Sequence, residues 1–127
     1  MPRRRTSLYG SMFPTVAADT KTLDPGLAER ERVIRTIRAH AAEIRARGVT
    51  RLRLFGSMAR GEAAPGSDVD LLIEVDPRVR FTLVELAGLE RLLRDLLDRP
   101  VEFAFPDRLR EHPRIWERVR THAIDLL

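Results

Sequence analysis

The chain has 127 residues, 43% of them hydrophobic and none of them cysteine. That length allows one domain around one modest core. It excludes disulfides and thiolate metal sites and fits a cytoplasmic setting; no apolar run reaches the roughly 18 residues of a membrane span, and Arg3, Arg4 and Arg5 are not followed by the apolar stretch of a secretory signal. The net charge is +4 and 22 of the 23 basic residues are arginine, but 19 acidic residues are interleaved with them. That pattern reads as solvated helix faces rather than a basic stripe, so nucleic acid is not expected as a direct partner.

Residues 1–23 show no periodicity and read as a flexible leader; a single domain is expected over 24–127. Asp24-Pro25 opens the first helix, an N-cap followed by proline at the first helical position. Leu27, Ile34, Ile37, Ala41 and Ile44 recur at helical spacing, and Gly48 is placed to end it. Val49 to Phe55 reads as a strand with Leu52 and Leu54 on one face. Gly56 to Gly66 is a loop with room for a helical turn, and Ser67 to Val75 is a second, aliphatic strand. Thr82 and Glu85 form a capping box for a helix lined by Leu83, Leu86, Leu89, Leu93 and Leu96. Arg99-Pro100 breaks that helix. Val101 to Phe105 alternates as a third strand, with Glu102 and Ala104 opposite Val101, Phe103 and Phe105. Leu109 to Val119 reads as helical despite Pro113, and the tail as a short strand. Trp116 is expected in the core, and His40, His112 and His122 on the surface. The order of elements is that of an α/β (α+β) two-layer domain.

Chemistry concentrates in Phe55-Gly56-Ser57-Met58-Ala59-Arg60-Gly61 and Ser67-Asp68-Val69-Asp70-Leu71-Leu72-Ile73. On a strand, Asp68 and Asp70 share a face about 7 Å apart, while Val69, Leu71 and Ile73 point into the core. Two adjacent carboxylates repel each other unless a cation lies between them. Mg²⁺ takes one or two protein carboxylates and completes its shell with phosphate oxygens. Gly56 lets a phosphate approach the backbone, and the Ser57 hydroxyl and the N–H groups of the turn can donate to it. Ten residues separate Ser57 from Asp68, giving G-S-x10-D-x-D. Gly-Ser alone is cheap, as Gly10-Ser11-Met12 shows, since no Asp-x-Asp follows it. Together the two halves supply the positioning and charge neutralisation that phosphoryl-type transfer needs. Arg60 is placed either to touch phosphate or to brace the loop by pairing with Glu62.

Gly56-Ser57-x-Ala59-Arg60-Gly61 followed by Ser67-Asp68-x-Asp70-Leu71 resembles the signature of the DNA polymerase β-like nucleotidyltransferase superfamily. The short length is similar to its stand-alone minimal nucleotidyltransferase branch. The resemblance covers the chain from about Leu27 onward. It implies a small mixed β-sheet packed against helices, nucleoside triphosphate on Gly56 and Ser57, and Mg²⁺, as two ions, on Asp68 and Asp70. It also implies a third carboxylate on the next strand, usually Asp. The matching residue is Glu102, longer than Asp by ~1.5 Å. Its expected roles are to hold metal and help activate the acceptor hydroxyl.

With no second domain to cradle an acceptor, a protein acceptor is expected. The resemblance further implies a HEPN-family toxin as partner, modified with AMP from ATP, and an antitoxin role for this chain. Two rivals are a nucleotidyltransferase-fold module that masks its partner without catalysis, which the Glu102 departure favours, and a small-molecule transferase of the antibiotic-modifying kind.

Overall fold

The computed structural model describes residues 24–127; the expectation of a flexible leader over 1–23 lies outside them. Among the described residues, six helices and four strands follow one another: α1 (Pro25–Ala39), α2 (Ala41–Ala46), β1 (Val49–Phe55), α3 (Gly56–Ala59), β2 (Val69–Val75), α4 (Leu83–Leu97), β3 (Val101–Ala104), α5 (Pro106–Leu109), α6 (Pro113–His122) and β4 (Ile124–Asp125). The strands form one mixed sheet in the order β3-β2-β1-β4. β1 pairs antiparallel with β2 and with β4, and β2 runs parallel to β3. The α/β (α+β) reading, a small mixed sheet against helices, is the architecture observed.

One face of the sheet carries the core. Leu52 and Leu54 of β1 and Val69, Leu71 and Ile73 of β2 meet Val33, Ile37 and Ile44 from α1 and α2 and Leu89, Leu93 and Leu97 from α4. Each fully buried leucine contributes roughly 1.5–3 kcal/mol. The Thr82–Glu85 capping box starts α4 as expected. Its buried stripe, however, is Leu89, Leu93 and Leu97, with Leu83 82% exposed. The first turn of α4 is largely solvent-exposed, Val84 being 76% exposed, and Leu86 is only partly buried against the core.

Other boundaries differ from the sequence reading for local reasons. The first helix is interrupted at His40, whose backbone leaves the helical region at φ −110° and ψ 19°. The carbonyl oxygen of Thr36, which an unbroken helix would give to the His40 N–H, lies instead 2.9 Å from His40 Nδ1. Pro113 does not sit inside a helix; it occupies the first turn of α6, where a missing N–H costs nothing. Ser67 and Asp68 precede β2 rather than open it: the Ser67 N–H donates to the Ala64 carbonyl, closing a turn.

The second face of the sheet is not simply open to solvent. Leu72 is fully buried there and Arg53 is 7% exposed, facing each other in register. Trp116, expected in the core, lies on this face instead, half-buried, with the guanidinium groups of Arg53 at 5.9 Å and Arg110 at 4.9 Å from its ring centroid. Arg53 also pairs with Glu74 at 3.1 Å. Cation–π contact with two arginines holds α6 over the sheet, although none of its residues is fully buried.

Candidate active site

Strand direction brings the site together. β1 runs toward it and ends at Phe55; β2 and β3 run parallel and both start beside it. Register places Phe55 opposite Asp70 and Asp70 opposite Glu102. Asp68 stands one residue before β2, held by the Val69 N–H donating to the Pro100 carbonyl at 2.8 Å. Asp68, Asp70 and Glu102 each offer a carboxylate oxygen, and these oxygens lie within 4.8 Å of one another. Oxygens bound across one Mg²⁺ at about 2.1 Å are separated by about 4.2 Å, so the cluster is close to a cation-holding geometry. Glu102 reaches the other two despite its length.

Asp70 is the most strained electrically. Burial raises its carboxyl above the usual aspartate range, the charges of Glu102 and Asp68 raise it further, and Arg60 partly offsets them. A divalent ion would remove this penalty, so the donor set fits one.

Gly56 is shaped to the site. It begins α3 with φ +76°, in the left-handed region. A Cβ at this position would run into the Asp70 carboxylate. The glycine is therefore needed both for the turn and for Asp70. Ser57 follows on the same turn, and its carbonyl accepts the Glu62 N–H at 2.9 Å. Arg60 donates from Nε to Glu62 at 3.0 Å, so it braces the loop while its charge still reaches Asp70.

Sequence reasoning missed what supports these residues. Arg99, 13% exposed, donates to the carbonyls of Ala64 at 3.1 Å and Ser67 at 2.9 Å, gripping the turn that delivers Asp68. Its Nε is in turn held by Glu29 of α1. Glu29 also pairs with Arg32, which donates to the Leu97 carbonyl at the end of α4. Gly26 packs so tightly on the Gly61 backbone that no side chain fits between them. None of these links has a periodic signature; only Arg99-Pro100 stood out, as a helix breaker. Among the described residues, no helix is long and apolar enough to cross a membrane.

Known proteins resemble this chain in sequence and fold. The family model of the nucleotidyltransferase domain matches residues 34–125. A protein of Methanocaldococcus jannaschii assigned as a protein adenylyltransferase is 32% identical over 80 residues, covering 63% of this chain and 82% of that protein. The protein adenylyltransferase MntA of Thermococcus cleftensis is 35% identical over 81 residues, covering 63% and 80%. A solved structure described as a minimal nucleotidyltransferase superimposes with a TM-score of 0.56 at 36% identity, over 82% of this chain and 92% of that one. A toxin–antitoxin structure with AMP-PNP shares the fold with a TM-score of 0.52 at 18% identity, over 77% and 72%.

Proposed function

The chain belongs to the nucleotidyltransferase domain family, and from that premise we propose that it moves AMP from ATP to a hydroxyl on a protein, acting as an antitoxin on a HEPN-type toxin. The observation that carries the reading is the meeting of Asp68, Asp70 and Glu102 within 4.8 Å beside the Gly56-Ser57 turn. Asp68, Asp70 and Glu102 would hold Mg²⁺, as two ions. When bound, the metal supplies charge neutralisation at the phosphoryl oxygens and acidifies the acceptor hydroxyl.

The chain's own groups do the rest. The Ser57 hydroxyl and the backbone N–H groups of α3 donate to triphosphate oxygens, which Gly56 lets approach. Arg60 keeps positive charge beside them while bracing the loop. The acceptor oxygen attacks the α-phosphorus, and the bond to the oxygen bridging α- and β-phosphorus breaks. Pyrophosphate leaves with that electron pair, and the hydroxyl proton passes to Glu102. Relatives named as protein adenylyltransferases support ATP as donor and protein as acceptor. The shared fold of a toxin–antitoxin structure is consistent with a toxin as that acceptor.

The test is incubation with each α-labelled nucleoside triphosphate, Mg²⁺ and the product of the adjacent gene. Label is expected on that protein, from ATP, and is expected to vanish with Asp68→Ala or Asp70→Ala. A partner bound and neutralised without label, under any triphosphate and with either Mg²⁺ or Mn²⁺, would establish a non-catalytic binding module instead. Label found only on a small molecule would point to the antibiotic-modifying class.

A further inference from the structure

Asp68 is the one carboxylate of the cluster that no strand pairing supports. The paired register of β2 with β3 begins at Val69, so Asp68 lies outside the ladder that fixes Asp70 and Glu102. Its position is set instead by the two peptide groups that flank it, and Arg99-Pro100 holds both. The Ser67 carbonyl, in the peptide before Asp68, accepts from Arg99 Nη1 at 2.9 Å. The Val69 N–H, in the peptide after it, donates to the Pro100 carbonyl at 2.8 Å. The same Nη1 also donates to the Ala64 carbonyl at 3.1 Å, which in turn accepts the Ser67 N–H at 3.0 Å. Arg99 thus clasps both ends of the turn over 64–67. Glu102 stands two residues beyond Pro100, so one short segment carries one carboxylate of the cluster and holds another.

We propose that Arg99 is a positioning residue for the metal site, holding the Asp68 carboxylate in place against Asp70 and Glu102; this rests on the reading of those three carboxylates as metal ligands. The guanidinium suits the task. It is a rigid planar fork, with Nε on the Glu29 carboxylate and Nη1 on the turn, and the side chain is 13% exposed. Glu29 is itself fixed by Arg32, whose Nε and Nη2 donate to its two oxygens at 2.8 and 2.6 Å. The Asp68 turn is therefore tied to α1 through side chains that are mostly buried. Mg²⁺ demands near-ideal octahedral geometry, so a displaced Asp68 oxygen weakens ion binding even where the fold survives. Residues that orient metal ligands without touching the ion change metal affinity or activity by about 10–100-fold when replaced. Lysine does not substitute for Arg99 here, because one compact ammonium cannot span Glu29 and both carbonyls at once.

The test is Mn²⁺ binding to the full chain, followed by the paramagnetic resonance signal of the free ion, with thermal melts on the same samples. Arg99→Lys is expected to weaken Mn²⁺ binding by about 10–100-fold. Glu29→Gln leaves Arg99 in place but removes the charge that orients it, and should weaken binding less, in the same direction. Ile44→Val loosens the core at α2, where Ile44 is fully buried, and should lower the melting temperature while binding Mn²⁺ as wild type does. In transfer assays the half-saturating Mg²⁺ concentration should rise in Arg99→Lys, while KM for ATP at saturating Mg²⁺ holds. Wild-type Mn²⁺ affinity in folded Arg99→Lys would overturn the proposal and leave Arg99 a brace of the fold alone. A loss in Ile44→Val as large as in Arg99→Lys would overturn it too. Should Arg99→Lys not fold, unchanged affinity in Glu29→Gln overturns it equally. Wild-type protein that binds no Mn²⁺, with or without ATP, would remove the metal site and this proposal together. If wild type binds Mn²⁺ and transfers nothing, the proposed activity alone fails, and a loss of about tenfold or more in Arg99→Lys still upholds the positioning role.

Discussion

Gly56 carries two demands at one atom. Its φ of +76° costs an ordinary L-residue about 1–2 kcal/mol, and a Cβ there would push against Asp70. Gly56→Ala is therefore expected to lower the melting temperature by about 4–8 °C per kcal/mol lost. Nucleotide binding should fall further than the remaining folded fraction explains, because Asp70 must move. Thermal melts and titration with Mg²⁺-ATP on the same sample separate the two effects. Undisturbed binding in a stably folded variant would show that Asp70 tolerates the displacement. Glu102 is tested by shape and charge together. Glu102→Gln keeps the shape and loses the charge, and a general base is worth about 10²–10⁴-fold, so transfer should fall by at least that range with the melt unchanged. Glu102→Asp keeps the charge, retracted by ~1.5 Å, and should retain measurable transfer. Equal activity in wild type and Glu102→Gln would exclude Glu102 from proton transfer. At this scale the sequence picked out the three carboxylates that the structure brings together. Strand alternation sets Asp70 apart from the core, and Gly56, Ser57 and Asp68 are picked out by the spacing of the G-S-x10-D-x-D pattern.

Elements were less legible where distant residues decide. α4 and its capping box follow from local pattern, as does the start of α1 at Asp24, whose side chain accepts the Gly26 and Leu27 N–H groups. The break at His40 and the exclusion of Trp116 from the core do not, because a side chain on a neighbouring carbonyl and two guanidinium groups about a ring leave no periodicity. The same holds for Glu29, Arg32 and Arg99, whose partners lie up to 70 positions away; an interleaved charge pattern hides them among surface arginines. Their joint pairing makes a testable claim about pH. Hydrogen bonding from Arg32, ahead of the Arg99 contribution, depresses the Glu29 carboxyl from 4.5 to about 2 against the opposing effect of burial. A depressed carboxyl stabilises the fold fully above its unfolded value and loses that contribution as pH falls through its folded value. The window is thus about pH 4.5 down to 2. With screening discounted for a pair near the surface, the contribution is roughly 1–3 kcal/mol. Glu29→Gln should be less stable than wild type at pH 7, and the gap should close across that window in acid melts. A gap that stays constant with pH would mean that packing, not charge, accounts for Glu29.

At the scale of the whole molecule, one sheet divides the labour. The helix-covered face supplies the core, and the strand ends on the other face gather three carboxylates at one edge. The sequence predicted both the layers and the edge, but not the second cover of α5 and α6, whose residues are too exposed to show a stripe. Concentrating negative charge at one edge makes metal-free folding work against the site. The Asp70 carboxyl is raised by burial first and then by Glu102 and Asp68, so its ionisation disfavours the fold. Below the ordinary aspartate value the penalty is absent; it grows as pH climbs through the raised value and is fully present above it. Asp70→Asn keeps the shape and removes the charge. In EDTA at neutral pH it should melt higher than wild type, on the order of a few degrees, and the difference should shrink toward pH 3. Saturating Mg²⁺-ATP should reverse the order. A ligand at about 100 times its dissociation constant stabilises the folded state by about 2.7 kcal/mol, a gain open to wild type and largely closed to Asp70→Asn. The crossing of the two melting curves between EDTA and Mg²⁺-ATP is the signature of a site that trades stability for metal binding. An Asp70→Asn protein that melts below wild type in both buffers would show instead that Asp70 is a structural residue, held by hydrogen bonds that the amide cannot make.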